Sequence, residues 1–183
     1  MGKLLYFAYA SNLLSKRIHF TNPSAVRKCV GKLKDYRLDF GHYSNRWKGA
    51  GATIVPTPGH TVWGAIWELD DSLLASLDRE EGVHEDMNGV LQNMYSRFDV
   101  NIETTEGNLI TCKTYQQTEN PEMLNEGESL PLDRKPSEFY KSVILEGAIE
   151  SGLPNDYIEK LRKIPSVPVK GELNLNELFR KND

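Results

Sequence analysis

The stretch Leu4-Leu5-Tyr6-Phe7-Ala8-Tyr9-Ala10-Ser11-Asn12-Leu13 decides how this chain is read. An apolar, aromatic run of strand type stops at a small-residue turn, and Ser11 and Asn12 stand where a helix can begin. A buried strand that feeds a tight turn into a helix start leaves several backbone N–H groups without intrahelical acceptors, all aimed one way. Such a turn suits a carboxylate or a developing oxyanion. The same residues also fit an ordinary strand followed by an ordinary Ser/Asn cap. Strand alternation puts Tyr6 and Ala8 on one side and Phe7 and Tyr9 on the other, where each can serve the core or a site. Ser11 has neither a G-x-S-x-G context nor a nearby His/Asp pattern, so it reads as a turn or cap residue rather than a nucleophile.

Outward from this stretch, residues 13–20 form a short helix candidate that Thr21-Asn22-Pro23 ends. Residues 26–40 fit strands. Gly49, Gly51, Pro56, Pro58 and Gly59 punctuate two further strands near 51–55 and 61–68. Asp70-Asp71-Ser72 starts a helix. Residues 84–93 are polar, and 94–103 with 108–117 read as a hairpin around Glu106-Gly107. A polar connection from Thr118 to Pro136 follows; its length suits a functional loop, such as a lid. Two helices, about 137–151 and 155–164, flank Gly152-Leu153-Pro154, and a polar tail of about residues 166–183 closes the chain. Strands dominate the middle and helices bracket it, which predicts an α+β fold with the sheet curled into a barrel. At 183 residues, a single domain over 1–183 is the expectation.

Composition narrows the function. Twenty-two basic and 26 acidic residues give a net charge of −4. No basic block or aromatic-interleaved basic patch points to nucleic acid. His19, His42, His60 and His84 lack ligand spacing, and Cys29 and Cys112 are a lone distant pair, so no metal site is expected. The N-terminal apolar run is too short for a signal peptide or a membrane span, and Tyr6 occupies the Ser/Thr position of a myristoylation start. A soluble protein of the reducing cytoplasm, without membrane attachment, is expected.

Glu81 is the best acid/base candidate. On a helix from Asp70, Leu73, Leu74 and Leu77 form an apolar stripe, and at ~100° per residue Glu81 falls about 30° from its centre, Glu80 about 70°. Glu81 is thus aimed inward just before Gly82, a natural helix terminator. An inward carboxylate has its charged form disfavoured, which raises its pKa toward neutrality. A frayed helix end with Glu81 in solvent fits the spacing equally. Glu80 and Asp78 read as solvated helix charges. Trp63 and Trp67 fall on one side of a strand.

Tyr6 to Leu14 resembles the YGSNL signature of the γ-glutamylcyclotransferases, with Ala10 in place of the glycine. Asn22-Pro23-Ser24-Ala25, Leu38-Asp39-Phe40-Gly41, Ala52-Thr53-Ile54, Val62-Trp63-Gly64, Ser76-Leu77-Asp78 and Glu81-Gly82-Val83 recur in family order. So do Ile110-Thr111-Cys112, Gly147-Ala148 and Gly152-Leu153-Pro154, and residues 84–93 look like an insertion. The resemblance covers about residues 4 to 165. It implies a small mixed β-barrel flanked by helices and an enzyme that turns a small-molecule γ-glutamyl amino acid into 5-oxoproline and a free amino acid, without a cofactor. It implies Glu81 as the acid/base, a substrate site formed by Tyr6, Phe7, Ala8, Tyr9, Ala10, Ser11 and Asn12, and a Tyr140 that closes over product. It also implies a role in glutathione metabolism and is compatible with a homodimer. Two alternatives share the resemblance: a cyclotransferase for γ-glutamylamines such as γ-glutamyl-ε-lysine, and a non-catalytic binding module of the same fold, which only Ala10 favours.

Overall fold

The computed structural model describes residues 2–74, 77–78, 83–85 and 91–179. Its centre is a closed barrel of five strands: β1 (Lys3–Ala8), β2 (Val26–Ser44), β3 (Gly49–Asp70), β6 (Tyr95–Thr104) and β7 (Leu109–Gln117). Around the barrel the order is β1-β3-β2-β6-β7. β1 runs antiparallel to β3, from Lys3 opposite Asp70 to Ala8 opposite Ala65, and parallel to β7 at Tyr6 and Lys113. That one parallel contact closes the barrel and makes it mixed. Two short strands, β4 (Val83–Glu85) and β5 (Leu91–Asn93), form a separate antiparallel ribbon. Helices α1 (Ser15–His19), α2 (Glu138–Ser151), α3 (Asn155–Arg162) and α4 (Leu175–Leu178) flank the strands, giving the expected α+β barrel.

The two strands expected near 51–55 and 61–68 are one. β3 runs through Pro56, Pro58 and Gly59 because these residues make a bulge rather than a break. Lys34 pairs with Thr61 and Tyr36 with Pro56, so four residues of β3, Thr57 to His60, stand against Asp35 alone. Asp35 and Gly59 both take positive φ, 61° and 81°, and the Gly59 N–H donates to Asp35 Oδ1 at 2.8 Å. An extra length of chain on one strand bends the pair, and barrels use such bends to close. The hairpin around Glu106-Gly107 forms as read, with Gly107 at φ 85°.

Phe7, Ile54, Val62, Ile66, Leu69 and Ile102 are fully buried in the core. Trp67 is also buried, whereas Trp63 is only partly so and lies against Lys32. Both cysteines are free, and burial pushes the Cys112 thiol up to about 12, so it is inert at neutral pH. After β3, a 3-10 turn (Asp71–Leu73) leads to helical Leu74, Leu77 and Asp78, with Leu77 fully buried. Glu80 and Glu81 lie outside the described residues.

The C-terminal segment, read as a polar tail, is docked as far as Phe179. Val167 donates its N–H to Pro136 O and accepts from Glu138 N–H. Asn174 caps α4 by accepting from the Glu177 N–H, Leu175 is buried, and the Phe179 ring stacks on Phe20 at 5.6 Å. The apolar residues at 175, 178 and 179, behind an Asn-x-x-Glu start, are the signal for that anchor.

What positions the end of β1 is α2. Gly147 meets the turn after β1 so closely that a Cβ there would lie 2.5 Å from Leu14 N and 2.8 Å from Leu13 C. Both atoms are backbone or fixed to it, so neither can step aside. Gly147→Ala is therefore expected to destabilise the fold by about 1–3 kcal/mol despite the helix propensity alanine adds, read by chemical denaturation. Unchanged stability would mean that this helix does not fix the turn.

Candidate active site

A cavity of about 460 Å³ opens where β1 ends. β1 stops at Ala8; Ser11–Leu13 form a 3-10 turn, closed by Leu13 N–H to Ala10 O at 3.0 Å, before α1 begins. Of the residues singled out in the sequence, Tyr6, Tyr9, Ala10, Ser11, Asn12 and Tyr140 line this cavity. Phe7 and Ala8 do not. Both belong to the core: the Phe7 ring and the Ala8 carbonyl lie against Gly64, and Phe7 O accepts from Thr114 Oγ1 at 2.9 Å. The alternation of Tyr6 and Tyr9 onto opposite sides fails for a simple reason. Tyr9 lies beyond the strand, where the chain has already turned, so both tyrosines reach the same space.

The turn is tightly held. Asn12 Nδ2 donates to the Tyr6 hydroxyl at 3.1 Å, and the Tyr9 hydroxyl donates to Tyr115 O at 2.8 Å. Among the described residues, nothing accepts from the backbone N–H groups of Ser11 and Asn12, as expected at the first turn of a helix. Ala10 has φ −129°. The position makes no demand for the left-handed conformation that favours glycine.

Tyr140 enters from α2. Ser137 caps that helix by accepting from the Tyr140 N–H at 3.1 Å, while its own hydroxyl donates to Trp47 O. Trp47 is buried, its ring 4.7 Å from that of Tyr140. The Tyr140 hydroxyl accepts from Ala52 N–H at 3.3 Å, and the Tyr95 hydroxyl donates to Ala52 O at 2.8 Å. Behind them sits Gln117, fully buried. Its amide donates to Gly51 O and to the Tyr95 hydroxyl, its carbonyl accepts from His42 N–H, and its backbone N–H donates to Thr53 Oγ1. A buried, satisfied amide of this kind ties β2, β3, β6 and β7 together at the cavity wall.

Two parts of the wall, and one carboxylate behind it, escaped the sequence reading. Arg17, only 5% exposed, lines the cavity from α1. A cation four residues after Leu13 and beside Ile18, on an apolar helical face, is the signal that could have found it. The β2–β3 turn contributes Ser44, Asn45 and Arg46. Asp78, read as a solvated charge, is half-buried instead; it accepts from the Tyr115 hydroxyl at 2.6 Å and pairs with Arg97.

One expectation is overturned. No residue of the Thr118–Pro136 connection lines the cavity, so it is no lid over it. The connection is strapped to β2 instead. Arg37 donates to Pro121 O at 2.7 Å, and Arg134 donates to Phe40 O and Glu122 O and pairs with Asp39 at 2.7 Å. Arg37 shares the same Asp39, so two guanidiniums meet one buried carboxylate.

Residues 61–161 match the model of the AIG2-like family. The γ-glutamylcyclotransferase of Mus musculus is 42% identical over 98% of this chain and 89% of its own length, and that of Homo sapiens is 41% identical over the same shares. The chain belongs to the AIG2-like γ-glutamylcyclotransferase family. A solved γ-glutamyl cyclotransferase structure superposes with a TM-score of 0.81 at 39% identity, covering 98% of this chain and 99% of that one. The fold read from the sequence is therefore the family fold. Among the described residues, no cluster of His, Cys, Asp and Glu could hold a metal ion, and no helix is long and apolar enough to cross a membrane.

The backbone at position 10 yields a test of the departure from the family signature. Ala10→Gly is expected to lower the melting temperature slightly, or leave it unchanged, because glycine only adds freedom to the unfolded chain. A stabilisation of about 1 kcal/mol would reveal a strained alanine.

Proposed function

We propose that the protein is a γ-glutamylcyclotransferase that converts γ-glutamyl amino acids to 5-oxoproline and a free amino acid in the cavity at the end of β1. The observation that carries this reading is similarity to curated γ-glutamylcyclotransferases across nearly the whole chain. The cavity supports it. Its described lining combines tyrosine hydroxyls, a helix-start turn and a buried arginine, which is a setting for a small, carboxylate-bearing substrate.

The reaction needs no cofactor, because the substrate holds both reacting groups. The α-amine of the glutamyl unit attacks its own γ-carbonyl; a C–N bond forms and the carbonyl oxygen becomes an oxyanion. Collapse of that intermediate expels the leaving amino acid as an amine, which must gain a proton. The enzyme's first task is to hold the chain folded with amine and carbonyl in contact, since orientation alone supplies much of the barrier. Glu81 takes the proton that the substrate ammonium must lose and returns one to the departing nitrogen. The N–H groups of Tyr9 to Asn12 receive the α-carboxylate or the oxyanion, donors placed where negative charge sits or grows. Tyr140 donates to a bound carboxylate while Ala52 N–H holds its oxygen. The reaction belongs to glutathione metabolism, and we place it in the cytoplasm.

Three measurements test these roles. Glu81→Gln is expected to fold normally and to lose about 10²-fold or more in 5-oxoproline formation from γ-glutamyl-alanine. The wild-type kcat/KM is expected to rise with pH through a group titrating above the free-glutamate value of about 4.3. Turnover within about threefold of wild type would remove Glu81 from the mechanism. Tyr140→Phe is expected to weaken 5-oxoproline binding by about 1–2 kcal/mol in calorimetric titration, with little change in melting temperature. Equal affinities would strike Tyr140 from the site.

A further inference from the structure

Arg46 sits at the tip of the turn between β2 and β3, exposed, and lines the cavity beside the reacting turn. The turn is braced on both sides of it. Lys48 N–H donates to Ser44 O at 2.8 Å, Trp47 N–H donates to Ser44 Oγ at 3.2 Å, and the Ser137 hydroxyl donates to Trp47 O. The guanidinium itself lies 4.6 Å from the centre of the Phe179 ring. Phe179 is held in turn by Phe20 and Trp47, each 5.6 Å away, and by the guanidinium of Arg17 at 3.8 Å. A cation–π contact orients a guanidinium without using its N–H donors. Among the described residues, no carboxylate pairs with Arg46, and none lines the cavity, while two arginines do. An arginine held in this way, whose donors have no partner among the described residues, beside a cavity without described acids, is built to receive an anionic group of the ligand.

The two arginines differ in depth: Arg17 is buried and Arg46 is exposed. A γ-glutamyl amino acid carries two carboxylates. One is bonded to the carbon that bears the attacking amine, so it must stay with the reacting centre. The other belongs to the leaving amino acid, which has to depart toward solvent. We propose that Arg46 selects substrates whose leaving group carries a free carboxylate, binding that carboxylate at the mouth of the cavity; this rests on the cyclotransferase reading above. Phe179 is the positioning residue that presents the guanidinium. The selection favours α-amino acids as leaving groups over simple amines.

The test compares γ-glutamyl-alanine with γ-glutamyl-alaninamide, which differ only in that carboxylate. Wild type is expected to favour the acid by about tenfold or more in kcat/KM, the scale of one charge-assisted pair. Arg46→Gln is expected to lose about tenfold on the acid, through KM, and to stay within about twofold on the amide. Arg46→Lys is expected to keep part of the preference, since it retains the charge but not the fork. A wild-type preference near one overturns the proposal. So does an Arg46→Gln variant that loses equally on both substrates, or on neither. If wild type forms no 5-oxoproline from either substrate, the cyclotransferase reading itself fails, and the selectivity with it.

Discussion

The pairing of β1 between β3 and β7 is the constraint on which the rest of the molecule depends. Six residues, Lys3–Ala8, close the barrel by running antiparallel to one neighbour and parallel to the other. Tyr6, Phe7 and Ala8 are buried, and the strand's termination at Ala8 decides where the chain turns. Gly64 lets Phe7 and the Ala8 carbonyl approach β3, and Thr114 holds the Phe7 carbonyl from β7. Gly147 then brings α2 onto the turn. The cavity lies where these contacts leave the strand end uncovered. Its position follows from barrel closure, and its floor inherits the rigidity of the core.

Around that strand end, tyrosines and one glutamine do the holding. A tyrosine buries a large apolar ring while its hydroxyl keeps a partner, so it can wall a cavity and still order its neighbours. Tyr95 and Tyr140 take the two backbone groups of Ala52, and Gln117 locks Tyr95. Such a wall costs little to reorganise when charge appears beside it, which is what an intramolecular acyl transfer asks of its surroundings. In the proposed reaction the substrate supplies nucleophile and electrophile, and the protein's part is shape, fixed dipoles and the proton carrier proposed at Glu81.

Much of this was legible in the chain. Leu4 to Tyr9 announced a buried strand, Ser11-Asn12 a helix start, and Glu106-Gly107 a hairpin, because each rests on local chemistry. The ordered motifs named the family. What stayed hidden was non-local. Pro56, Pro58 and Gly59 look like a break, and only the facing Asp35, brought there by the hairpin, turns them into a bulge. Tyr9 looked like the opposite face from Tyr6 because period-two alternation assumes that the strand continues. The Thr118–Pro136 connection looked like a lid because length and polarity carry no direction; Arg37 and Arg134 decide that it straps β2. Arg46 was missed for the same reason, since a cation in a turn reads as surface until the fold places it on a cavity wall.

The central claim is that the turn at the end of β1, together with Tyr140, holds the glutamyl part of the substrate. The most direct measurement is a crystal structure of the protein soaked with 5-oxoproline. The product is expected in the cavity, with its carboxylate or its ring carbonyl on the backbone N–H groups of Tyr9 to Asn12 and with Tyr140 in contact. Product bound elsewhere on the protein, with this cavity unoccupied at saturating concentration, would contradict it.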